Sequence, residues 1–241
     1  MRVGVIGAGG RMGGLVCSAV EGDGDLDLVA TVRRGDPLDL LTRAGAEAAV
    51  DFTVPTAVRD NVMWCLKHDV HAVVGTSGLG PSDLAEIERA ARSSAARVLV
   101  APNFALGAVL MMAFARRAAH YFERAEIVER HHEGKLDAPS GTALRTASLM
   151  AAEGGMKALD DGTEASVGAR GVDGGGVRIH SLRLPGSVAH QEVIFGGDGE
   201  TRTIRHDSLD RRSFMPGVLL GLKRVGTLDG LTVGLEHLLD T

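Results

Sequence analysis

The side chains best suited to chemistry lie in one run, His131-His132-Glu133-Gly134-Lys135-Leu136-Asp137-Ala138-Pro139-Ser140-Gly141-Thr142-Ala143. Imidazole can donate a proton near neutral pH, so one of the adjacent histidines could be a proton donor while the other holds a substrate. The Lys135 ammonium and the N-terminus of a helix both attract anions. Together with a glycine-rich turn near residue 1, this run suggests a nucleotide-dependent reductase that acts on a small carboxylate.

The second half of this run reads as the start of a helix. Pro139 presets the backbone and Ser140 can cap the helix, so the amides of Gly141 and Thr142 would be exposed to an anion. Lys135, these two amides and the Thr142 hydroxyl could therefore hold a substrate carboxylate. Alternatively, Ser140 only caps the helix and Lys135 only faces solvent.

The two histidines do not form a recognisable metal site. Adjacent side chains on a strand point to opposite faces, so His131 and His132 act as one unit only if the strand has ended. Glu129 and Glu133 are close in sequence, but the chain has no HExxH or similar ligand spacing here. We therefore expect no metal.

A glycine-rich turn, Gly7-Ala8-Gly9-Gly10-Arg11-Met12-Gly13, follows the first predicted strand and opens the first predicted helix. Glycine lets backbone N–H groups approach a pyrophosphate at the positive end of the helix. The spacing is GxxGxxG, with Met12 at the third glycine position of the usual GxGxxG. A glycine-rich stretch can be only a turn, but its position between strand and helix predicts cofactor binding.

Arg33-Arg34 stands at the end of the second predicted strand, where NAD-preferring proteins often carry an acidic residue. Two guanidinium groups suit a 2′-phosphate, and we expect no carboxylate there to repel it. The sequence therefore predicts that NADPH binds at least as well as NADH. The alternative is a pair of solvated surface arginines.

Two further loops follow strand ends and could line the nicotinamide and ribose: Gly75-Thr76-Ser77-Gly78 and Ala101-Pro102-Asn103-Phe104. Taken singly, each could equally be a structural turn. Asp51 also ends a predicted strand, but it could simply cap the helix that follows.

Composition excludes several classes of function. The chain of 241 residues has a formal net charge of −5 and 3% aromatic residues, which gives no reason to expect a nucleic acid or an acidic membrane as partner. Cys17 and Cys65 lack CxxC spacing and are expected to be buried free thiols. Neither a signal-peptide pattern nor an apolar stretch of ~20 residues is present, so we expect a cytoplasmic protein.

The first hundred residues alternate predicted strands and helices, which is typical of a parallel sheet covered on both faces. The strands are predicted at Arg2–Ile6, Leu26–Val32, Ala48–Phe52, Val70–Gly75 and Val98–Ala101, and the helices at Arg11–Val20, Thr56–His68 and Ser82–Arg92.

The pattern changes after about residue 104. Two turn-forming stretches, Pro185-Gly186-Ser187 and Gly196-Gly197-Asp198-Gly199, predict antiparallel hairpins. Gly154–Gly176 is expected to be a mobile loop. Helices are predicted at Gly107–Phe122, Ser140–Ala152 and Phe214–Val225, and strands at Ala125–His131, Val177–Leu184, Val188–Phe195 and Thr201–Asp207.

The chain resembles the 4-hydroxy-tetrahydrodipicolinate reductase (dihydrodipicolinate reductase) family, and its compact second half is most similar to the actinobacterial branch. The resemblance spans the whole chain. Its motifs are Val5–Gly13, Val50–Thr53, Val74–Gly78, Ala101–Phe104 and the highly specific His131–Ala143, with Ala189–Val193 and Ile204–Arg211 in the second half.

The resemblance implies NAD(P)H-dependent reduction of 4-hydroxy-2,3,4,5-tetrahydrodipicolinate to tetrahydrodipicolinate, with loss of water, in diaminopimelate and lysine biosynthesis. It implies that His131 donates the proton, that Lys135 assists proton transfer or carboxylate binding, and that His132 contacts substrate. Gly141 and Thr142 would hold a carboxylate. The residues implied to line the cofactor are Gly7, Ala8, Gly9, Gly10, Arg11, Met12, Arg33, Gly75, Thr76, Ser77, Ala101, Pro102, Asn103 and Phe104.

The fold class expected is α/β, with an N-terminal Rossmann-type dinucleotide-binding domain and a second α+β domain. The first would comprise residues 1–103 and 213–241, and the second, residues 104–212, would bind substrate and form a homotetramer through packed sheets, as the resemblance implies.

Departures from the family pattern concern the cofactor: relatives can carry an acidic residue where Arg33 stands and lysines where Gly9 and Arg11 stand. The preference for NADH or NADPH is therefore not carried over, and Ser77 in place of a common threonine is a minor change. Two other functions remain open. One is a non-catalytic dinucleotide sensor on the same fold, and the other is a reductase of another cyclic imine or keto-dicarboxylate.

Overall fold

The computed structural model of the protein describes residues 1–157 and 168–239, and it divides the chain into two compact units. Of the described residues, the first unit contains 1–105 and 214–239, and the second contains the rest. Within these described residues, no helix is long and apolar enough to cross a membrane.

The first unit is built on a six-stranded parallel sheet. Its strands are β1 (Arg2–Ile6), β2 (Asp27–Val32), β3 (Ala48–Asp51), β4 (His71–Val74), β5 (Val98–Val100) and β11 (Leu231–Val233). Their order is β11-β5-β4-β3-β1-β2, so the chain reverses its direction of travel across the sheet between β1 and β3. Open α/β sheets bind ligands at such a point, beyond the carboxyl ends of the strands.

Helices cover this sheet, because its central strands are mostly apolar and need burial on both faces. Helix α1 (Arg11–Glu21) packs against α7 (Met215–Arg224), and α3 (Pro55–Lys67) packs against α4 (Pro81–Ala91). The short helix α2 (Asp39–Arg43) lies beside β2. Leu41 and Ile87 are fully buried in the resulting core.

The second unit has a mixed five-stranded sheet. Its strands are β6 (Arg124–His131), β7 (Val172–Asp173), β8 (Arg178–Arg183), β9 (Ala189–Gly197) and β10 (Glu200–Ser208), in the order β10-β9-β6-β8-β7. Helices α5 (Leu106–Ala119) and α6 (Gly141–Ala152) pack on each other and on this sheet. Four of their alanines and Met150 form an apolar core with Ile127, Val193 and Phe195; the alanines are Ala115, Ala119, Ala143 and Ala147.

The predicted fold class, a Rossmann-type α/β sheet followed by a second α+β unit, is confirmed.

One predicted hairpin is wrong. The strands on either side of Pro185-Gly186-Ser187 do not pair, because β6 lies between them, parallel to β8 and antiparallel to β9. Neighbouring strands lie about 5 Å apart, so β8 and β9, on either side of β6, are about 10 Å apart. Residues 184–188 span this distance by crossing over the end of β6.

The hairpin at Gly197–Glu200 is confirmed, since β9 and β10 pair antiparallel from Gly197 and Glu200 onward. Among the α-helices and strands that the structure describes, three were not anticipated from the sequence: α2, β7 and β11. The strand β7 falls inside the predicted loop Gly154–Gly176, and residues 158–167 of that loop lie outside the described residues.

The expectation for the cysteines is half right. Both thiols are free, but only Cys65 is buried, whereas Cys17 is partly exposed on α1. Burial raises the pKa of the Cys65 thiol to about 12, so it is not ionised at neutral pH.

Candidate active site

The segments predicted to bind the cofactor all begin where strands of the first unit end. The register of the sheet places Val32, Ile6, Asp51, Val74 and Val100 in one row across β2, β1, β3, β4 and β5. The residues that follow four of these strands are Arg33, Gly7, Gly75 and Ala101. The fold therefore gathers these predicted segments at one edge of the sheet.

The glycine-rich turn is tightly closed on itself. Gly7 has φ +87°, and a Cβ there would collide with the carbonyl oxygen of Phe52. The amides of Gly7 and Ala8 donate to the carbonyl of Val32 at 2.9 and 3.1 Å. A Cβ on Gly13 would in turn collide with the carbonyl of Gly7, so the helix starts directly against the turn.

The N-terminus of α1 fits an anion. Gly10 is its N-cap, no side chain caps it, and its first turn contains no acidic residue. The first amides of a helix carry a partial positive charge, and here neither a carboxylate nor a capping oxygen of α1 itself competes for them. This arrangement suits a pyrophosphate.

Arg33 lies beside the turn. Its Cγ and Cδ atoms are 3.8 and 3.9 Å from the position that a Cβ on Gly9 would occupy. The expectation that no carboxylate stands here is wrong, because Asp36 folds back and accepts a hydrogen bond from the Arg33 amide at 2.9 Å. Both arginines of the pair are exposed.

A buried carboxylate joins the loops after β3 and β4. Asp51 is 3% exposed, and its Oδ1 accepts hydrogen bonds from the hydroxyls of Thr53 and Thr76 at 2.7 and 2.6 Å. Asn61 donates to its Oδ2 at 2.7 Å. Asp51 does not cap α3, whose N-cap is Val54. The Thr76 hydroxyl is thus used within the protein, while Gly75 and Ser77 are partly or fully exposed.

Only two of the four residues predicted to bind the cofactor in the loop after β5 are accessible to solvent. Ala101 and Phe104 are buried at 3% exposure each, and the Phe104 ring packs 5.8 Å from that of Phe52. Pro102 is exposed and Asn103 partly exposed. Of these four residues, only Pro102 and Asn103 have side chains that a ligand could reach.

In the second unit, the alternation along β6 places Glu129 and His131 on the face of the sheet that the helices cover. Glu129 is fully buried, and its Oε2 lies 2.5 Å from Nδ1 of His131, whose side chain is 14% exposed. An ionised carboxylate only accepts hydrogen bonds, so Nδ1 carries a proton and Nε2 is left for other partners. Sequence reasoning did not give Glu129 this role.

Glu129 remains ionised despite its burial. Burial alone raises the pKa of a carboxyl group, but hydrogen bonds from His131, Arg183 and Ser181 outweigh it and bring the pKa down to about 2. The Ser140 amide also donates to Oε1 at 3.2 Å. A charged residue at a buried position of β6 was the sequence signal that could have identified this group.

The strand ends at His131, so the adjacent histidines differ in environment. His132 is exposed in the loop that follows, and its carbonyl accepts a hydrogen bond from the Lys135 amide at 3.1 Å. The Lys135 ammonium binds both carboxylate oxygens of Asp137 at 2.8 Å. This contact lowers the pKa of Asp137.

Ser140 caps α6, as predicted: its hydroxyl accepts a hydrogen bond from the Ala143 amide at 3.2 Å. Gly141 is exposed, and no atom lies within 4 Å of where its Cβ would be. Thr142 is partly exposed, and its carbonyl accepts from the Thr146 hydroxyl at 2.8 Å. There is open space beside the first turn of α6.

The comparison with solved structures first defines a class. At 13% identity, an amine dehydrogenase from Mycobacterium smegmatis shares the fold with a TM-score of 0.68 over 96% of this chain and 94% of its own. The shared fold and the glycine-rich turn define a protein built on a Rossmann-type sheet.

Two family profiles then narrow the class. The dihydrodipicolinate reductase N-terminus profile matches residues 1–104, and the C-terminus profile matches residues 107–239. The chain belongs to the dihydrodipicolinate reductase family.

Relatives support this membership. The 4-hydroxy-tetrahydrodipicolinate reductases of Corynebacterium diphtheriae and Streptomyces griseus are each 54% identical over 100% of this chain, and cover 99% and 98% of their own length. A dipicolinate-bound dihydrodipicolinate reductase from a Paenisporosarcina species is 37% identical with a TM-score of 0.89, and 99% of each chain is covered.

Proposed function

We propose that this chain catalyses the NAD(P)H-dependent reduction of 4-hydroxy-tetrahydrodipicolinate to tetrahydrodipicolinate, with loss of water, in diaminopimelate and lysine biosynthesis. The observation that carries the proposal is the buried Glu129, which is hydrogen-bonded both to His131 and to the Ser140 amide at the start of α6. A dinucleotide sensor has no use for this arrangement of a proton donor beside an anion-binding helix start.

In this proposal the second unit binds the substrate and supplies the proton. A bound NAD(P)H supplies the hydride. His131, as an imidazolium whose Nδ1–H is held by Glu129, donates the proton of Nε2 and is left as the neutral ring protonated on Nδ1. Gly141 and Thr142 hold a substrate carboxylate at the start of α6, and His132 contacts the substrate from the exposed loop.

Lys135 has a specific part in this scheme. Its ammonium is paired with Asp137, which is exposed, and exposed pairs contribute little to stability. A substrate carboxylate can therefore replace Asp137 on Lys135 at small cost, and Lys135 then binds the substrate or assists proton transfer.

The first unit holds the dinucleotide. The turn Gly7–Met12 and the amides of α1 bind the pyrophosphate, while Gly75, Thr76, Ser77 and Ala101–Phe104 line the nicotinamide and ribose. Thr76 would contribute through its backbone, because its hydroxyl is bound to Asp51.

Arg33 is proposed to bind the 2′-phosphate, so that NADPH serves at least as well as NADH. Arg33→Ala should raise KM for NADPH about tenfold, the usual value of one charge-assisted contact, with little change for NADH. Arg89→Ala is the matched control, because Arg89 is an exposed arginine of α4 outside the predicted cofactor segments. Equal losses with both cofactors would show that Arg33 does not select NADPH.

A substrate panel tests the reaction. Purified protein should reduce 4-hydroxy-tetrahydrodipicolinate, generated from pyruvate and aspartate semialdehyde, with a kcat/KM at least about tenfold above that for other cyclic imines or keto-dicarboxylates. Higher kcat/KM for another imine would reassign the substrate. Binding of NAD(P)H without any turnover would favour the sensor.

A further inference from the structure

Arg183 is the last residue of β8 and lies opposite His131 in the sheet. A guanidinium has five N–H groups. Nη1 donates to Glu129 Oε2 at 3.0 Å and to the Leu182 carbonyl at 2.7 Å, and Nη2 donates to Glu129 Oε1 at 3.0 Å and to the Asp137 carbonyl at 2.6 Å. Nε donates to the Lys135 carbonyl at 3.2 Å. All five N–H groups of the guanidinium are used.

These contacts join three segments. The carboxylate of Glu129 belongs to β6, the carbonyls of Lys135 and Asp137 belong to the loop after it, and Arg183 belongs to β8. Glu129 extends the network to His131 and to the Ser140 amide. Arg183 thus links two parts of the site. It binds the loop backbone at Lys135, and it binds the Glu129 carboxylate that orients His131.

We propose that Arg183, acting through Glu129 and the loop carbonyls, is the positioning residue that sets His131 and Lys135 in one fixed geometry. Its kinetic consequence rests on the proposed function, whereas its effect on the geometry does not. Arg183 has no N–H group left for a substrate, so it acts through the residues it holds.

Lysine cannot replace this arginine. Its ammonium has three donors and no planar fork, so it cannot bind both oxygens of Glu129 and two loop carbonyls together. Arg183→Lys keeps the positive charge beside the buried carboxylate, which avoids leaving that carboxylate unpaired. The variant therefore loses part of the hydrogen-bond network of the guanidinium but keeps its positive charge.

The experiment compares Arg183→Lys with Arg202→Lys, a matched change at an exposed arginine of β10. We expect Arg183→Lys to lower kcat about 10- to 100-fold, since small displacements of reacting groups cost this much. The dissociation constant for the dinucleotide, measured without turnover, should stay within about twofold, because the dinucleotide is proposed to bind the other unit. Arg202→Lys should change neither.

Two readouts do not depend on turnover. Hydrogen exchange at the Ser140 amide should quicken at least about tenfold in Arg183→Lys, because its acceptor Glu129 is no longer held. ¹⁵N NMR of His131 should show one tautomer, protonated on Nδ1, in the wild type. In Glu129→Gln it should show a mixture, since an amide can donate as well as accept.

The outcomes separate the two claims. Wild-type kcat together with unchanged Ser140 exchange in Arg183→Lys would overturn the positioning role, as would a lowered melting temperature with no other change. If the wild type reduces no substrate, the proposed function fails, and the exchange and tautomer results still decide the role of Arg183. If Arg183→Lys does not fold, a single Nδ1–H tautomer retained in Glu129→Gln would overturn the role, and a mixture would support it.

Discussion

At the scale of single residues, the chemistry of the second unit depends on one buried charge. Glu129 is fully buried yet ionised, and it fixes which nitrogen of His131 bears the proton. Sequence reasoning identified His131, His132, Lys135, Gly141 and Thr142 from their types and order. It missed Arg183, because an interaction between residues 129 and 183 depends on strand pairing that spacing does not reveal.

His131→Ala tests the proton donor. Removal of a general acid lowers turnover by roughly 10²–10⁴-fold, and we expect kcat to fall in this range while dinucleotide binding is kept. His120→Ala, at an exposed histidine of the same unit, is the control and should retain full turnover. Unchanged kcat in His131→Ala would exclude this residue as the donor.

Glu129 should also make stability depend on pH. Its folded pKa of about 2 lies below the ordinary value of 4.5, so the ionised group stabilises the fold above about pH 4.5, a contribution lost as the pH falls toward 2. The difference corresponds to about 3 kcal/mol. The free energy of unfolding, measured with urea, should therefore fall more steeply between about pH 6 and about pH 3 for the wild type than for Glu129→Gln. An equal fall in the free energy of unfolding for both proteins would contradict the ionised state of the buried Glu129.

At the scale of elements, two adjacent glycines near the start of α1 differ in their surroundings. A Cβ on Gly13 would collide with the Gly7 carbonyl, whereas no atom lies within 4 Å of a Cβ on Gly14. Gly13→Ala should displace the turn and weaken dinucleotide binding at least about tenfold, at the cost typical of overpacking. Gly14→Ala should bind normally and be slightly more stable, because alanine favours a helix. Equal affinities by fluorescence titration would contradict this assignment.

The periodicity of the sequence was sufficient for most elements of the fold. The apolar patterns predicted β1 to β5 of the parallel sheet and the helices α1, α3 and α4 within one or two residues. The five-residue α2 and the three-residue β11 are too short to show a period. The turn residues Pro185-Gly186-Ser187 indicated a hairpin, but turn chemistry does not show that β6 lies between the two strands.

At the scale of the whole molecule, we propose a homotetramer formed through the sheets of the second unit. The face of the sheet opposite to the buried core carries Val128, Ile194 and Leu182, which are partly exposed or exposed. Apolar side chains on an open sheet face favour packing against another copy.

The proposed homotetramer should have a mass of about 100 kDa in solution, four times the 25.1 kDa of the chain. Ile194→Glu should lower this mass in light-scattering measurements, because it places a charge in the proposed interface. Arg202→Glu, on the opposite face of β10, should leave it unchanged. A monomeric wild type would contradict the proposal.

The measurement that tests the account most directly follows the oxidation of NADPH and NADH by the purified wild-type protein. Pyruvate, aspartate semialdehyde and the enzyme that condenses them supply the substrate, and the condensing enzyme is omitted in the control. We expect oxidation that requires the condensing enzyme, at a rate with NADPH at least equal to that with NADH. Folded protein that oxidises neither cofactor when the condensing enzyme is present would contradict the central claim.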